Sequence, residues 1–524
     1  MKIRLLFFLY IFTTSAVQAQ VVGQSESPFF SIRQNGISSI AANGDTVWIS
    51  PALTRNIGNS PDWIRPTGID SIENGIGRVF SVSVSQDTIF AGLGFTSETI
   101  SGNQPAGYGY YISTNGGEDW RFSDFLLDNR IDEDTTFVYG GQTYSRERII
   151  VPEQSPPYNV SFNGEVLFSA NWASGLLRST NFGINWERII LPPFGESLLT
   201  PERDNYFWFD CVLLQNGACI ETANVYNSVE DDNLKGFAVL VDSKKRVWYG
   251  SAGGINVSEN ALTASLDSII WRNTLSTNSS NSLLGRWIIE IKEDITTGKI
   301  WMTNWVADQN DRFGIVSTND GGITFDQHLI GEKILGIGFK DGYVFAAGEE
   351  GLFISPDGGN SWQKTPQIKS ANTFLKESTE FQAVAVTNDR VWIGTTDGLI
   401  STDDLGQTWE ITRVNFPLSG GNQYDDDAKS VKAYAYPNPF SPQLHEVTRI
   451  RFEVERPGSI NIRIFDFGMN LVRNLDTYDA STKGTHEAVW DGVDGKGRNV
   501  ANGPYFYIIE TPTETINGKI LLVE

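Results

Sequence analysis

The stretch from Gly398 to Trp409, GLISTDDLGQTW, decides how this chain is read. Two adjacent carboxylates, a glycine and a tryptophan would suit an active site or a turn joining two strands. Recurrence separates the two readings. The form Ser/Thr-x-Asp/Asn-x-Gly-x-x-Trp/Phe returns as STNGGEDW (113–120), STNFGINW (179–186), TNDGGITF (318–325) and SPDGGNSW (355–362). A turn that repeats along the chain belongs to a repeated fold, and a single catalytic centre has no use for so many copies.

Two further patterns precede each box. A short strand carries an aromatic at Trp48, Phe90, Phe168, Trp248, Trp301, Phe345 and Trp392, and an alternating strand lies before it, as in FQAVAV (381–386). The aromatic that ends the box falls at Trp63, Trp120, Trp186, Trp271, Phe325, Trp362 and Trp409; the boxes ending at Trp63 and Trp271 are degenerate. Asn-Gly, Asp-Gly and Asn-Asp turns at 43–44, 163–164, 341–342 and 388–389 separate the first two strands. Seven such units fill residues 28–414, each reading as four short strands. The expectation is an all-β chain, with a seven-bladed β-propeller over this region.

Within a box each residue type has a local task. The carboxylates of Asp320, Asp357 and Asp404 accept backbone N–H groups in the turn, and the amide oxygens of Asn115 and Asn181 do the same. The glycine supplies a positive φ. The last aromatic fills the space between sheets. The box residues are scaffold.

The chain of 524 residues is 40% apolar and 12% aromatic, with 51 glycines, which is globular and turn-rich. Its opening, MKIRLLFFLYIFTTSAVQAQ, has two early cations, an apolar run and a small-residue site, so residues 1–19 read as a secretory signal peptide. No later segment has the ~18 apolar residues a membrane span needs. The formal charge of -23 repels phosphate backbones and argues against nucleic acid as a partner. The three histidines are far apart, no segment fits a calcium loop and no phosphate-binding loop appears, so neither metal nor cofactor is expected. Cys211 and Cys219 flank a Gln-Asn-Gly turn, and an oxidising compartment would permit a disulfide across that hairpin.

Residues 415–432 carry a Gly/Asn stretch and an acidic run, the composition of a linker. From 433 to 524 several alternating strands follow, including RIRFEV (449–454) and SINIRIFD (459–466), and they predict a small β-sandwich.

The boxes resemble the Asp-box (BNR) repeats of sialidases, sortilin-type receptors, xyloglucanases and photosystem II assembly factors. The C-terminal segment, with YPNPF (436–440), IFDFGMNLVRNL (464–475), WDGVDGKG (490–497) and GPYFY (503–507), resembles the FlgD-like Ig domain and the C-terminal sorting domains of type IX secretion. That second resemblance implies an Ig-like domain read by outer-membrane secretion machinery, and a secreted or surface-displayed protein. The chain departs from many such tails in ending on Glu524 rather than a basic residue. The sialidase signature is absent, the nearest phrase being WIRP (63–66).

In a propeller the boxes and the first turns lie on one face, and the other loops on the opposite one. Units two to five carry the long additions, at 92–107, 124–157, 191–233 and 303–312, all on that opposite face. Ten of the fifteen tryptophans sit on the repeat register and Trp490 belongs to the C-terminal segment. Trp172, Trp208, Trp287 and Trp305 remain. With their neighbours Asn171, Arg286 and Asn304 they form the candidate ligand site, since aromatic rings beside amides suit sugar stacking or a protein anchor. The expectation is a monomeric surface module binding a glycan or a protein. A glycoside hydrolase is the alternative; it needs two carboxyl groups ~5–10 Å apart, and spacing selects no pair among Asp204, Asp210, Asp308 and Asp311.

Overall fold

The computed structural model describes residues 21–22, 26–27 and 32–524, apart from residues 61, 67–77, 131–134, 214–218, 278, 371–372 and 415–430. The leader (1–19) and all but two residues of the linker (415–432) lie outside the described residues, as do the side chains of Asp210, Cys211 and Cys219. Of the described residues, 51% are strand and almost none helix. No helix of the described residues is long and apolar enough to cross a membrane.

Seven antiparallel sheets follow one another between Ser39 and Thr412, each built on strands paired in chain order; Val21–Val22 adds an outer strand to the second and Leu198–Leu199 to the fourth. Their first strands are Ser39–Asn43, Arg78–Ser85, Pro157–Asn163, Gly236–Val241, Trp287–Asp294, Ile334–Lys340 and Phe381–Val386. Each first strand packs against that of the next sheet, and the seventh packs against the first, which closes a propeller-like ring. Sheet 1 has three strands; Ile64 adds a bridge to Arg55 where a fourth would lie.

The repeated aromatics stitch the ring. The box aromatic of each sheet meets the second-strand aromatic of the sheet before it. Trp120 packs edge-on against Trp48 at 5.6 Å, Trp186 stacks on Phe90 at 6.0 Å, and Trp63 of sheet 1 meets Trp392 of sheet 7 at 5.9 Å. The pairs Trp271/Phe168, Phe325/Trp248, Trp362/Trp301 and Trp409/Phe345 share core clusters in the same way. The ring therefore closes with the contact used between every other pair of neighbours, worth about 0.5–1.5 kcal/mol beyond area burial.

The box turns form as their chemistry dictates. Asp404 Oδ1 accepts from Thr402 Oγ1 and from the N–H groups of Gln407 and Thr408 at 2.8–2.9 Å. Asp357 and Asp320 repeat this, and Asn115 and Asn181 accept the equivalent N–H at 2.9 Å. Sheet 4 keeps a box that the spacing hid. Asn260 Oδ1 accepts from Ser258 Oγ and from Ile270 N, spanning an insertion between them.

The additions expected as loops are partly strand. Residues 92–107 continue the second and third strands of sheet 2 as a long hairpin, Thr88–Thr99 with Gly102–Ser113. The two longest insertions meet in a separate sheet, ordered Thr136–Tyr139, Gln142–Arg146, Cys219–Tyr226, Phe209–Leu213, whose middle pair is parallel. Each insertion alone is one hairpin; pairing buries an aromatic cluster around Trp208.

Residues 433–524 form a three-stranded and a four-stranded sheet over a core of their own, including Ile450, Phe452, Ile462, Trp490 and Tyr507. This unit docks on sheet 7. Asp397 and Arg413 of the ring meet Arg449 and Glu487 of the C-terminal unit, with side-chain exposures of 2–11%.

Candidate functional site

The candidate site starts from a backbone irregularity. In six of the seven first strands the register with the second strand shifts near the N-terminal end: at Val79/Ser81, Pro157/Asn159, Gly236/Ala238, Ile288/Ile291, Ile334/Gly336 and Phe381/Ala383. A bulge of this kind re-aims the extra side chain. In sheets 2, 3 and 4 that residue is Phe80, Tyr158 or Phe237; in sheets 6 and 7 it is Leu335 or Gln382. Gly94 makes room for the first of these, since a Cβ there would overlap the Phe80 ring.

These rings form an arc across four sheets. Phe80 lies 6.4 Å from Tyr158, Tyr158 stacks on Phe237 at 6.2 Å, and Phe237 lies 5.3 Å from Trp287 and 5.4 Å from Trp172. All five are half-buried. Arg78 sits over Phe80 at 4.8 Å and Lys235 lies 6.0 Å from the Trp172 ring. An ionic rail runs alongside: Lys235 to Asp232 at 2.8 Å, Asp232 to Arg286 at 3.8 Å, and Arg286 to Asp311 at 4.0 Å.

Of the residues singled out in the sequence, Trp172 and Trp287 join the arc and Arg286 lies on the rail. Trp305 pairs across the strands with Trp287; its indole N–H donates to Ile334 O at 2.9 Å and Lys333 covers its ring at 4.6 Å. Three expectations are corrected. Trp208 is fully buried among Phe137, Tyr144 and Tyr226, with its indole N–H on Leu191 O, because the insertion needed a core. Asn171 is buried and its amide donates to Ser155 O at 2.9 Å. Asn304 is buried and accepts from Leu284 N and Gly285 N. Both asparagines tie loops to strands and present nothing to a ligand. Phe80, Tyr158 and Phe237 escaped sequence reading, although aligning the first strands of the seven units would have placed all three in one column.

The other face differs. An axial cavity of about 440 Å³ is lined by the C-terminal halves of the first strands, among them Val82, Val160, Val239, Ile337 and Val384. Glu293 and Asp294 border it, but both carboxylates are engaged, Glu293 with Ser243 N and Asp294 with Thr296 N and Thr297 Oγ1. On the aromatic face, Asp311 accepts from Ala307 N and Asp308 from Asn310 N, so each caps its own turn. Asp231 is raised to about 6 by burial, against the pull of two backbone N–H bonds. Each of its oxygens is occupied, by Asn233 N and Phe194 N, at 2.8 and 3.0 Å.

No family model and no curated protein matches the chain. Among solved structures it is similar to PorZ, described as a surface component of the type-IX secretion system of Porphyromonas gingivalis, at 12% identity and a TM-score of 0.33, over 93% of this chain and 81% of that one. It is also similar to YCF48 bound to D1 peptide (14%, TM-score 0.40, 73% and 98%) and to a GH74 enzyme of Niastella koreensis (12%, TM-score 0.45, 95% and 75%). Likeness at this level carries nothing about activity.

Proposed function

We propose that this protein is an exported seven-bladed β-propeller with an Ig-like C-terminal domain, and that it is a binding module working through the aromatic arc. The observation that carries this reading is the repeated bulge. One backbone device re-aims side chains in successive sheets, and in three neighbouring sheets those side chains are aromatic. A row of half-exposed rings with flanking cations stacks on sugar faces or anchors protein side chains. A glycan is the first ligand class to test, and a protein the second.

The test is retention of the purified protein on insoluble polysaccharides, with reducing-end release measured on the same panel. Retention without release, weakened about tenfold or more in a Phe237→Ala/Trp287→Ala variant that keeps its thermal transition, is the expected result. Release of reducing ends would make the protein a glycoside hydrolase. Neither signal on any polysaccharide would discard the glycan reading.

The C-terminal domain is proposed as a type IX-like sorting signal on its sequence motifs. Fusing residues 415–524 behind a secreted reporter tests this without disturbing the ring. The fusion should reach the cell exterior in a type IX-competent host and stay in the periplasm in a host lacking that route. Equal export in both would end the sorting proposal.

A further inference from the structure

A second cavity, of about 340 Å³, lies away from the arc where the insertion sheet meets the outer edge of sheet 3. Most of its wall is apolar, including Leu126, Phe137, Ile190 and Leu266. The rest is charged. Asp128 receives Arg146 at 3.2 Å and Arg188 at 3.1 Å, and its Oδ2 also accepts from Ile149 N at 2.8 Å. Among the described lining residues one carboxylate thus faces two guanidinium groups, an excess of one positive charge in a chain of formal charge -23.

Arg188 is unusual within this group. Its side chain is only 10% exposed, yet Nε and Nη2 are buried with no hydrogen-bond partner. Among the described arginines no other has more than one buried nitrogen without a partner. A buried donor without a partner is costly, and more so when charged, so such a group calls for an explanation. Asp128 cannot supply it, because its oxygens already serve two arginines and a backbone N–H.

We propose that this cavity binds a carboxylate with a compact apolar body, its charged end on Arg188 and Arg146 and its body against Phe137 and Leu266. Guanidinium groups match a carboxylate in charge and in planar geometry. The apolar wall selects against fully hydrated ions such as sulfate. A free organic acid and the C-terminal carboxylate of a peptide share this chemistry. The site is independent of the aromatic arc, so the two readings can fail separately.

The test is calorimetric titration of the full-length protein with phenylacetate and its methyl ester, and with N-acetyl-Gly-Gly-Phe and its C-terminal amide. Saturable binding of an acid but not of its neutral counterpart is expected. Binding of phenylacetate identifies a free acid as sufficient; binding of the peptide acid alone identifies a chain terminus. Arg188→Gln should weaken the acid about tenfold or more. Val138→Trp provides the second variant: Val138 lines the cavity yet is 50% exposed, so a larger ring there blocks entry without disturbing the core. The proposal is overturned if neither acid binds, if ester or amide binds equally well, or if both variants bind like the parent.

Discussion

Asp231 and Asp404 are carboxylates driven in opposite directions. Asp231 is pushed up to about 6 chiefly by burial. Its folded value lies above the unfolded value near 3.9, so between the two the folded state holds the extra proton. Its contribution is complete below about pH 4 and is lost as pH rises through about 6. An Asp231→Asn variant removes this slope. Urea unfolding from pH 4 to 6 should show the parent losing on the order of 2 kcal/mol relative to the variant; parallel profiles would show that Asp231 is ionised throughout. At Asp404, burial also pushes upward, but bonds from the Thr408 hydroxyl and N–H and the Thr402 hydroxyl outweigh it and bring the group to about 2. The sign reverses: stability is present above about pH 4 and is lost as pH falls toward 2. Asp404→Ala should cost about 1 kcal/mol at neutral pH, as a lost turn cap does. Asp404→Asn should cost less, since Asn115 and Asn181 already fill this role in two boxes. Equal losses for the two substitutions would mean that charge rather than hydrogen bonding holds the turn.

At the scale of elements, the box turn places a glycine against the core. In sheet 2 both Gly116 and Gly117 have positive φ, 73° and 89°. A Cβ on Gly117 would stand 2.6 Å from the Trp48 ring, whereas one on Gly116 would have only Asp87 Oδ1 at 4.0 Å. Gly116→Ala should therefore cost only backbone strain, ~1–2 kcal/mol, and Gly117→Ala clearly more, because Trp48 is locked against Trp120. Thermal unfolding of the two variants separates strain from overlap; equal losses would mean that the tryptophan shifts freely. The same elements set what could be read beforehand. Trp48, Trp63 and Trp392 were legible because one packing rule repeats and the period exposes it. The first-strand arc was half legible. Trp172 and Trp287 stood out as tryptophans off the repeat, but Phe80, Tyr158 and Phe237 look like ordinary strand residues until a bulge re-aims them, and period-2 alternation cannot signal a bulge. Trp208 is not legible as core, because nothing local in its insertion distinguishes a packed sheet from a surface loop. Strands from 136–146 and 209–226 pair only in three dimensions, and no local pattern announces a parallel pairing between segments so far apart.

At the scale of the molecule, the ring and the C-terminal unit are joined by charge taken out of water. Arg413 meets Asp397 at 3.0 Å and Glu487 at 3.3 Å, Arg449 meets Asp397 at 2.8 Å, and the Tyr436 and Thr373 hydroxyls each donate to Glu487 at 2.6 Å. Two cations and two anions balance. Asp397 is held low: burial pushes it up, and Arg413 and Arg449 outweigh that. Such a cluster adds little net stability over an apolar contact of the same shape, but removing one member strands the others. Arg449→Met would leave Asp397 and Glu487 facing Arg413 alone, at a cost of about 3–5 kcal/mol. Part of that cost is avoided if the C-terminal unit undocks and lets water reach the carboxylates. Calorimetry should then show one cooperative transition for the parent and two for the variant. Because the cluster is buried, added salt should leave the parent's single transition in place. A variant that still melts once, at the parent's temperature, would show that contacts such as the Tyr434 hydroxyl on Val414 O hold the two units together without the ions.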